Sequence, residues 1–140
     1  MAKRDPVQLL GSVPIFQGLS KKELREIARS AKEVKHRAGA ALAREGETGV
    51  GFFLIVDGNA TVTIGNTPRA KMGPGDFFGE ISLIDNGPRT ATVTADSDII
   101  TLGLTPWTFQ RLIQQNPAIA SKMMKVMAQR LRASSADLRH

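Results

Sequence analysis

The sequence predicts a mainly β fold, an antiparallel β-roll or jelly roll with an N-terminal helix before it and a long C-terminal helix after it. Short runs of β-branched and aromatic residues, separated by glycine, asparagine and proline, fill the chain from about residue 34 to 105. Helical spacing of apolar residues is found on the two flanks instead. The length of 140 residues and the hydrophobic fraction of 41% fit one core, so we expect a single domain over residues 1–140.

The N-terminal helix is predicted over about residues 20–31. Leu24, Ile27 and Ala28 share one helical face. Ser20 is a suitable N-cap, and Glu23 three positions later completes a capping box. Before this helix, the apolar run at residues 13–16 contains a proline, so we expect a segment pinned to the core and not a helix.

Two pairs of neighbouring strands are predicted within the β region. The first pair joins residues 52–56 to residues 60–64 through a tight turn. The second pair joins residues 92–95 to residues 99–104, divided by three polar residues.

The C-terminal helices are predicted over about residues 106–138. Pro106 is suited to a first helical turn, and Asn116-Pro117 ends this helix and starts another. Apolar residues of the second helix recur at spacings of three, four and seven, so it is expected either to lie on the roll or to form a homodimer with a copy of itself. These residues are Ile119, Met123, Val126, Met127, Leu131 and Leu138.

Composition excludes several classes of protein. The chain has no cysteine and two histidines, so disulfides are excluded and a metal site is not expected. We find neither a signal peptide nor an apolar stretch near the ~18 residues that cross a bilayer, and we expect a cytoplasmic protein without membrane contact. The net charge of +6 raises the question of nucleic acid, but much of it lies at residues 21–35 and 122–139, where it is most simply the solvated face of helices.

Residues 75–93 interrupt the β pattern and collect residue types that suit an anion. Gly79 has no Cβ, so the backbone can approach a ligand there. Residues 80–84 are predicted to form one helical turn whose free N–H groups bind phosphate. Arg89 adds a permanent positive fork that can make two parallel hydrogen bonds to phosphate oxygens.

Glu80 is a carboxylate beside this anion site and needs a different partner. A ribose joined to phosphate through both its 3′ and 5′ oxygens keeps its 2′-hydroxyl free to donate. We therefore expect Glu80 to accept from a ribose hydroxyl and deoxy analogues to be rejected. Taken singly, an arginine in a loop is usually solvated and a Gly-Glu pair is usually a turn, so the order and spacing of these residues carry the prediction.

Residues 78–93 resemble the phosphate-binding cassette of the cyclic nucleotide-binding domains. The cassette reads Phe-Gly-Glu, an aliphatic residue, a small residue and Leu, then a short loop, then Arg, Ser/Thr/Ala, Ala, a variable residue and Val, and this chain meets each fixed position. The resemblance implies Glu80 as the ribose partner, Arg89 as the phosphate partner, and hydroxyl or backbone contributions from Thr90 and Ser82. The ligand-binding residues that we predict are Phe78, Gly79, Glu80, Ile81, Ser82, Arg89, Thr90, Ala91, Ser134 and Ser135.

Within this family the chain most resembles the ligand domains of the bacterial cyclic AMP receptor proteins, over nearly its whole length. Ser134 and Ser135 fall where those domains have a Thr-Ser pair that touches the purine, although both are equally typical of solvated helix residues. The resemblance implies cyclic AMP as the ligand. Thr90 leaves cyclic GMP open, because a hydroxyl at this position favours guanine in some relatives.

The sequence ends at His140, where the transcription factors of this class continue into a winged helix-turn-helix. We therefore expect a stand-alone cyclic nucleotide sensor without direct DNA binding, which signals to an unknown effector protein by moving its C-terminal helix. The alternative is the ligand-sensing half of a DNA-binding transcription regulator. An enzyme is not expected, since we find no dinucleotide fingerprint, phosphate-loop lysine, His-Glu-x-x-His or nucleophile elbow, and we assign no catalytic residue.

Overall fold

The computed structural model describes residues 5–47, 51–79 and 89–137, without the side chains of residues 135–137. Within these residues, eight strands form two four-stranded antiparallel sheets flanked by helices, which confirms the predicted fold class. In chain order the elements are α1 (Pro6–Gly11), a 3-10 turn (Pro14–Phe16), α2 (Lys21–Ser30), β1 (Lys32–His36), β2 (Ala41–Ala43), β3 (Phe52–Asp57), β4 (Ala60–Ile64), β5 (Thr67–Met72), β6 (Phe77–Phe78), β7 (Thr92–Ala95), β8 (Ile99–Leu104), α3 (Pro106–Gln115) and α4 (Pro117–Asp137).

The N-terminal helix α2 begins as the sequence predicts. The Ser20 hydroxyl accepts from the Glu23 N–H at 3.2 Å, and the Glu23 carboxylate accepts from the Ser20 N–H at 2.8 Å, which closes the capping box. Residues 13–16 are buried as expected and contain one 3-10 turn. Helix α1 was not predicted; it begins at Pro6, and the side chain of its N-cap Asp5 accepts from the N–H of Val7.

The predicted pairing of strands 52–56 with 60–64, and of 92–95 with 99–104, is wrong. The two sheets have the orders β1-β8-β3-β6 and β2-β7-β4-β5, so consecutive strands of each predicted pair lie in different sheets. The turns between them are corners that carry the chain from one sheet to the other. A hairpin signal fixes where the chain turns, but it does not fix which sheet the next strand joins.

The two corners pack against each other. The N–H of Asn59 donates to the Ser97 hydroxyl at 3.1 Å, and the N–H of Asp96 donates to the Asn59 carbonyl at 2.9 Å. Gly58 has a φ of +97°, and a Cβ on it would collide with the Asp98 carbonyl. The sheets are therefore joined at this end of the roll by two turns that hold each other.

The core has two layers. One lies between the helices and the outer face of the β1-β8-β3-β6 sheet, and it includes Phe16, Ile27, Phe52, Leu54, Val56, Leu104, Phe109 and Ile119. The other lies between the two sheets, where small side chains such as Ala60 and Ala95 accompany Ile55, Val93 and Ile99. Neighbouring residues of one strand serve different layers, as in β6, where Phe77 packs on the helix side and Phe78 between the sheets.

The C-terminal helices begin at Pro106 and divide at Asn116, as the sequence predicts, while the predicted end at about residue 138 lies outside the described residues. The Thr105 side chain caps α3, which ends before Asn116, and α4 follows from Pro117. The predicted apolar seam of α4 divides along its length. Ile119 and Met123 are buried in the core, whereas Leu131 is 68% exposed, so the early part of the helix lies on the domain and the later part faces solvent. Leu138 lies outside the described residues. Among the helices that the structure describes, none is both long enough and apolar enough to cross a membrane.

Candidate functional site

Arg89 is held in place by its backbone. Its N–H donates to the Glu47 carbonyl and its carbonyl accepts from the Gly46 N–H, both at 2.9 Å. Next to this bridge, the Thr92 hydroxyl accepts from the Glu45 N–H at 3.0 Å. The segment that follows β2 therefore fixes the position of the Arg89 backbone, from which its side chain extends.

The Arg89 guanidinium extends toward the start of β3. Its Nη2 donates to the carbonyl of Gly51, the residue directly before that strand. Gly51 has a φ of +94°, and a Cβ on it would collide with the Leu104 carbonyl at the end of β8. The acceptor for the guanidinium is thus a backbone atom at the end of the roll opposite the two stacked corners.

Gly79 provides the space that the guanidinium occupies. It follows β6 directly, its φ is +83°, and a Cβ on it would collide with both Arg89 Nη1 and the Gly51 carbonyl. Any side chain at position 79 would therefore displace the guanidinium, in addition to the strain of a positive φ. The sequence predicts close approach of a ligand to the Gly79 backbone; in the structure the group that approaches it is the Arg89 guanidinium.

Phe78 lies beneath the same charge. Arg89 Cζ is 5.8 Å from the centroid of the Phe78 ring, within the range of a cation–π contact. Phe78 is stacked on Phe53 of β3, with ring centroids 5.4 Å apart and ring planes inclined by 26°. The guanidinium thus rests on two stacked aromatic rings between the sheets.

The aromatic stack continues to His36 on β1. The His36 ring meets Phe53 edge-on, with centroids 6.3 Å apart, and its Nε2 lies 3.2 Å from the buried Thr101 hydroxyl. Burial lowers the pKa of His36 from its ordinary value of 6.5, because the charged imidazolium is poorly solvated there. His36 is therefore mainly neutral at pH 7.

The structure describes some of the predicted ligand-binding residues and not others. The structure brings together Phe78, Gly79 and Arg89, with Thr90 exposed and Ala91 half-buried directly after them. Ser134 is exposed in the last turns of α4, an element that packs mainly on the 3-10 turn and α3. The predictions for Glu80, Ile81 and Ser82, and for the side chain of Ser135, lie outside the described residues.

Three further residues of the site were not predicted from the sequence: Gly51, Phe53 and Gly103. Gly51 supplies a carbonyl, a group that every residue has, so no sequence signal could identify it. Phe53 was read as one position of a buried strand, and its contact with Phe78 depends on the pairing of β3 with β6. Gly103 lies in β8 beside the Phe53 ring, which is 3.1 Å from where a Cβ would be.

This arrangement suits the binding of an anion. A guanidinium offers planar donors to phosphate oxygens, and here it is fixed at the end of the roll by a carbonyl, a glycine and an aromatic face. Within the described residues, no group of three or more His, Asp or Glu side chains is placed to hold a metal ion.

Comparisons with known proteins identify the family of this chain. Residues 33–116 match the family model described as the cyclic nucleotide-binding domain. The chain is similar to a cyclic nucleotide-gated potassium channel of Rhizobium etli, with 40% identity over 123 residues, 88% of this chain and 34% of the channel. It is also similar to a CRP-like cAMP-activated global transcriptional regulator of Mycobacterium tuberculosis, with 29% identity over 138 residues, 94% of this chain and 61% of the regulator.

A solved structure has the same fold. It is the N-terminal domain of a transcriptional regulator from Streptomyces coelicolor, with a TM-score of 0.85 and 30% identity, covering 90% of this chain and 94% of that one. By contrast, the chain spans about a third of the length of the channel and less than two thirds of the mycobacterial regulator. The likeness therefore concerns one domain of these larger proteins.

Proposed function

Because the chain belongs to the cyclic nucleotide-binding domain family, we propose that it is a non-catalytic sensor that binds a cyclic nucleotide, namely cyclic AMP. The observation that carries the proposal is the guanidinium of Arg89, fixed between the Gly51 carbonyl, the Gly79 backbone and the Phe78 ring. A cyclic phosphate bears one negative charge on two exposed oxygens, which match two donors of a planar fork. The cAMP-activated regulator among the relatives supports the choice of purine.

The remaining contacts of the ligand belong to the same proposal. Arg89 binds the phosphate, and Glu80 accepts from the ribose 2′-hydroxyl. Thr90 is exposed beside Arg89, where its hydroxyl is accessible to a ligand. Ser134 and Ser135, near the end of α4, contact the purine once the ligand is bound. Phe78, Gly79, Ile81, Ser82 and Ala91 complete the site through their backbone or their apolar side chains.

We propose that ligand binding is signalled through the C-terminal helices to an effector protein. Gly51 carries the carbonyl that accepts from Arg89, and a Cβ on Gly51 would collide with the Leu104 carbonyl and lie 3.0 Å from the Thr105 Cα. Thr105 is the N-cap of α3, which leads into α4. A phosphate that takes the guanidinium away from Gly51 would therefore act next to the first residue of these helices.

Isothermal titration tests the binding of cyclic AMP directly, with cyclic GMP, 2′-deoxy cyclic AMP and 5′-AMP as comparison ligands. We expect cyclic AMP to bind most tightly. Arg89→Ala should cost about 1.5–3 kcal/mol, the range for hydrogen bonds to charged groups, and Glu80→Ala should remove the preference for ribose over deoxyribose. Arg25→Ala is the matched control, since it removes one positive charge from the exposed face of α2. Folded protein that gives no heat with any cyclic nucleotide would refute the proposal.

A second candidate function is the ligand-sensing half of a DNA-binding transcription regulator. The likeness to the mycobacterial regulator, which includes nearly the whole of this chain, favours it. The two candidates share the ligand site and differ in the effector. A mobility shift of duplex DNA that persists at physiological salt would favour the regulator. The reading frame of the gene beyond residue 140 separates the two candidates, since a DNA-binding domain there would support the regulator and a stop codon there the stand-alone sensor.

A further inference from the structure

We infer that Phe53 is a positioning residue for the phosphate-binding arginine, acting through Phe78. The inference rests on the proposed function, in which Arg89 binds the phosphate. The Phe53 ring is stacked on the Phe78 ring, over which the guanidinium lies.

The Phe78 ring is oriented mainly by its packing on Phe53. β6 has two residues, Phe77 and Phe78, which pair with Leu54 and Phe53 of β3. So short a strand fixes a side chain weakly by its own backbone, and packing against a neighbouring ring supplies the rest. For Phe78 that ring is Phe53, stacked at 5.4 Å with an inclination of 26°. A change in the Phe53 ring therefore acts directly on Phe78.

The Phe53 ring is in turn bordered by Gly103 and by the His36 ring. Gly103 pairs with Phe53 in the register of β3 and β8, and a Cβ at Gly103 would lie 3.1 Å from Phe53 Cε1. That separation is shorter than ordinary carbon–carbon contacts of about 3.5–4.0 Å. On another side, the His36 ring meets Phe53 edge-on. Gly103 therefore leaves the space that the Phe53 ring occupies, with the Phe78 ring stacked on it and the His36 ring at its edge.

The orientation of the Phe78 ring affects the Arg89 guanidinium that lies over it. A cation–π contact depends on the guanidinium lying over the face of the ring, so a tilt of Phe78 weakens it and changes the direction of the Arg89 fork. Two parallel hydrogen bonds to a phosphate need that fork in one orientation. Phe53 thus contributes to phosphate recognition without touching the ligand.

The same two strands contain a matched control on the other side of the sheet. Phe77 precedes Phe78 and packs with Phe52, at a centroid distance of 6.2 Å, in the layer that faces the helices. Phe53→Leu and Phe77→Leu therefore remove one ring each from neighbouring aromatic pairs. Only the first pair includes the ring beneath Arg89.

The first measurement needs no ligand. In the NMR spectrum of the free protein, the Arg89 Nε–Hε resonance, assigned by its loss in Arg89→Lys, reports the ring beneath the guanidinium. We expect Phe53→Leu to move this resonance and Phe77→Leu to leave it in place. The opposite pattern, or equal movement in both variants, would overturn the inference. This outcome does not depend on whether the protein binds a nucleotide, so it separates failure of the inference from failure of the proposed function.

The second measurement is a double-mutant cycle with cyclic AMP. We expect Phe53→Leu to lower the affinity about tenfold when Arg89 is present and less than about twofold in Arg89→Lys, which keeps the charge but loses the planar fork. Equal losses in both backgrounds would show that Phe53 acts on the fold alone, and would overturn the inference. If Phe53→Leu does not fold, Gly103→Ala serves in both measurements, because its added methyl group presses on the same ring.

Discussion

One oxygen of the Glu23 carboxylate accepts both from the Lys122 ammonium, at 2.7 Å, and from the Ser20 N–H, at 2.8 Å. The first of these contacts joins α4 to α2, and the second belongs to the capping box of α2. Both lower the pKa of Glu23, with the Lys122 hydrogen bond as the largest cause. The start of the N-terminal helix and the long C-terminal helix are thereby fixed by the same atom.

Glu23→Gln should loosen α4 from the domain. Glutamine retains a carbonyl that can serve in the capping box, so the variant removes mainly the charge that faces Lys122. We expect a loss of about 0.5–1 kcal/mol in the free energy of unfolding, since the pair is partly exposed, and faster amide hydrogen exchange in the first turns of α4. Glu26→Gln is the control, because Glu26 pairs with Arg29 of its own helix. Equal exchange in both variants would contradict the prediction.

Gly79→Ala should abolish binding while the protein stays folded. The added Cβ would occupy the position of the Arg89 guanidinium, and the positive φ of residue 79 adds a strain of about 1–2 kcal/mol. Gly39→Ala separates the two effects, because Gly39 has a φ of +90° and no atom within 4 Å of the added Cβ. We expect Gly79→Ala to lose more thermal stability than Gly39→Ala, because its Cβ also collides with the Gly51 carbonyl, and we expect loss of cyclic AMP binding in titrations of Gly79→Ala only. Normal binding by Gly79→Ala would argue against the site.

Stability should rise with pH through the titration of His36. Burial lowers its pKa in the folded state below the ordinary value of 6.5, so the unfolded chain binds more protons in that interval. The free energy of unfolding therefore increases as the pH rises from below the lowered pKa to about 6.5, and this contribution is constant above it. Urea denaturation at several pH values, compared with His36→Gln, measures the effect. The same slope in His36→Gln would assign it to other groups.

We expect the exposed apolar side chains of α4 to pack against the same helix of a second copy of the chain, which forms a homodimer. Met124 and Leu131 are 58% and 68% exposed and stand seven residues apart on one face of the helix. We expect Leu131→Lys to shift the mass in sedimentation equilibrium from dimer to monomer. Ile64→Lys, which changes the 39% exposed Ile64 of β4, is the control. A wild-type protein that is monomeric at all concentrations would contradict the prediction.

Local signals in the sequence predicted local structure well. Ser20 with Glu23 marked the start of α2, and Pro106 with Asn116-Pro117 marked the ends of α3, because caps and prolines act within one helical turn. The pairing of the strands could not be obtained in this way. Residues 57–59 have the composition of a hairpin turn, yet their partner is the other corner at residues 96–98, which lies far along the chain.

The candidate site was predictable to the same extent. The order of Phe78, Gly79 and Arg89 indicated an anion site, and the structure brings these three residues together. The supporting residues Gly51 and Phe53 depend on which strands are neighbours. Nothing in their local sequence distinguishes them from other glycines and strand phenylalanines, so they became visible only in three dimensions.

The stacked corners and Arg89 stand at opposite ends of β3. Because hydrogen bonds join the two corners at one end of the roll, a ligand bound near Arg89 at the other end should move the corners little. A movement caused by the ligand would instead reach Gly51, which lies close to Thr105, the N-cap of α3. A covalent cross-link across the corners should consequently leave sensing intact, whereas one between Gly51 and the start of α3 should silence it.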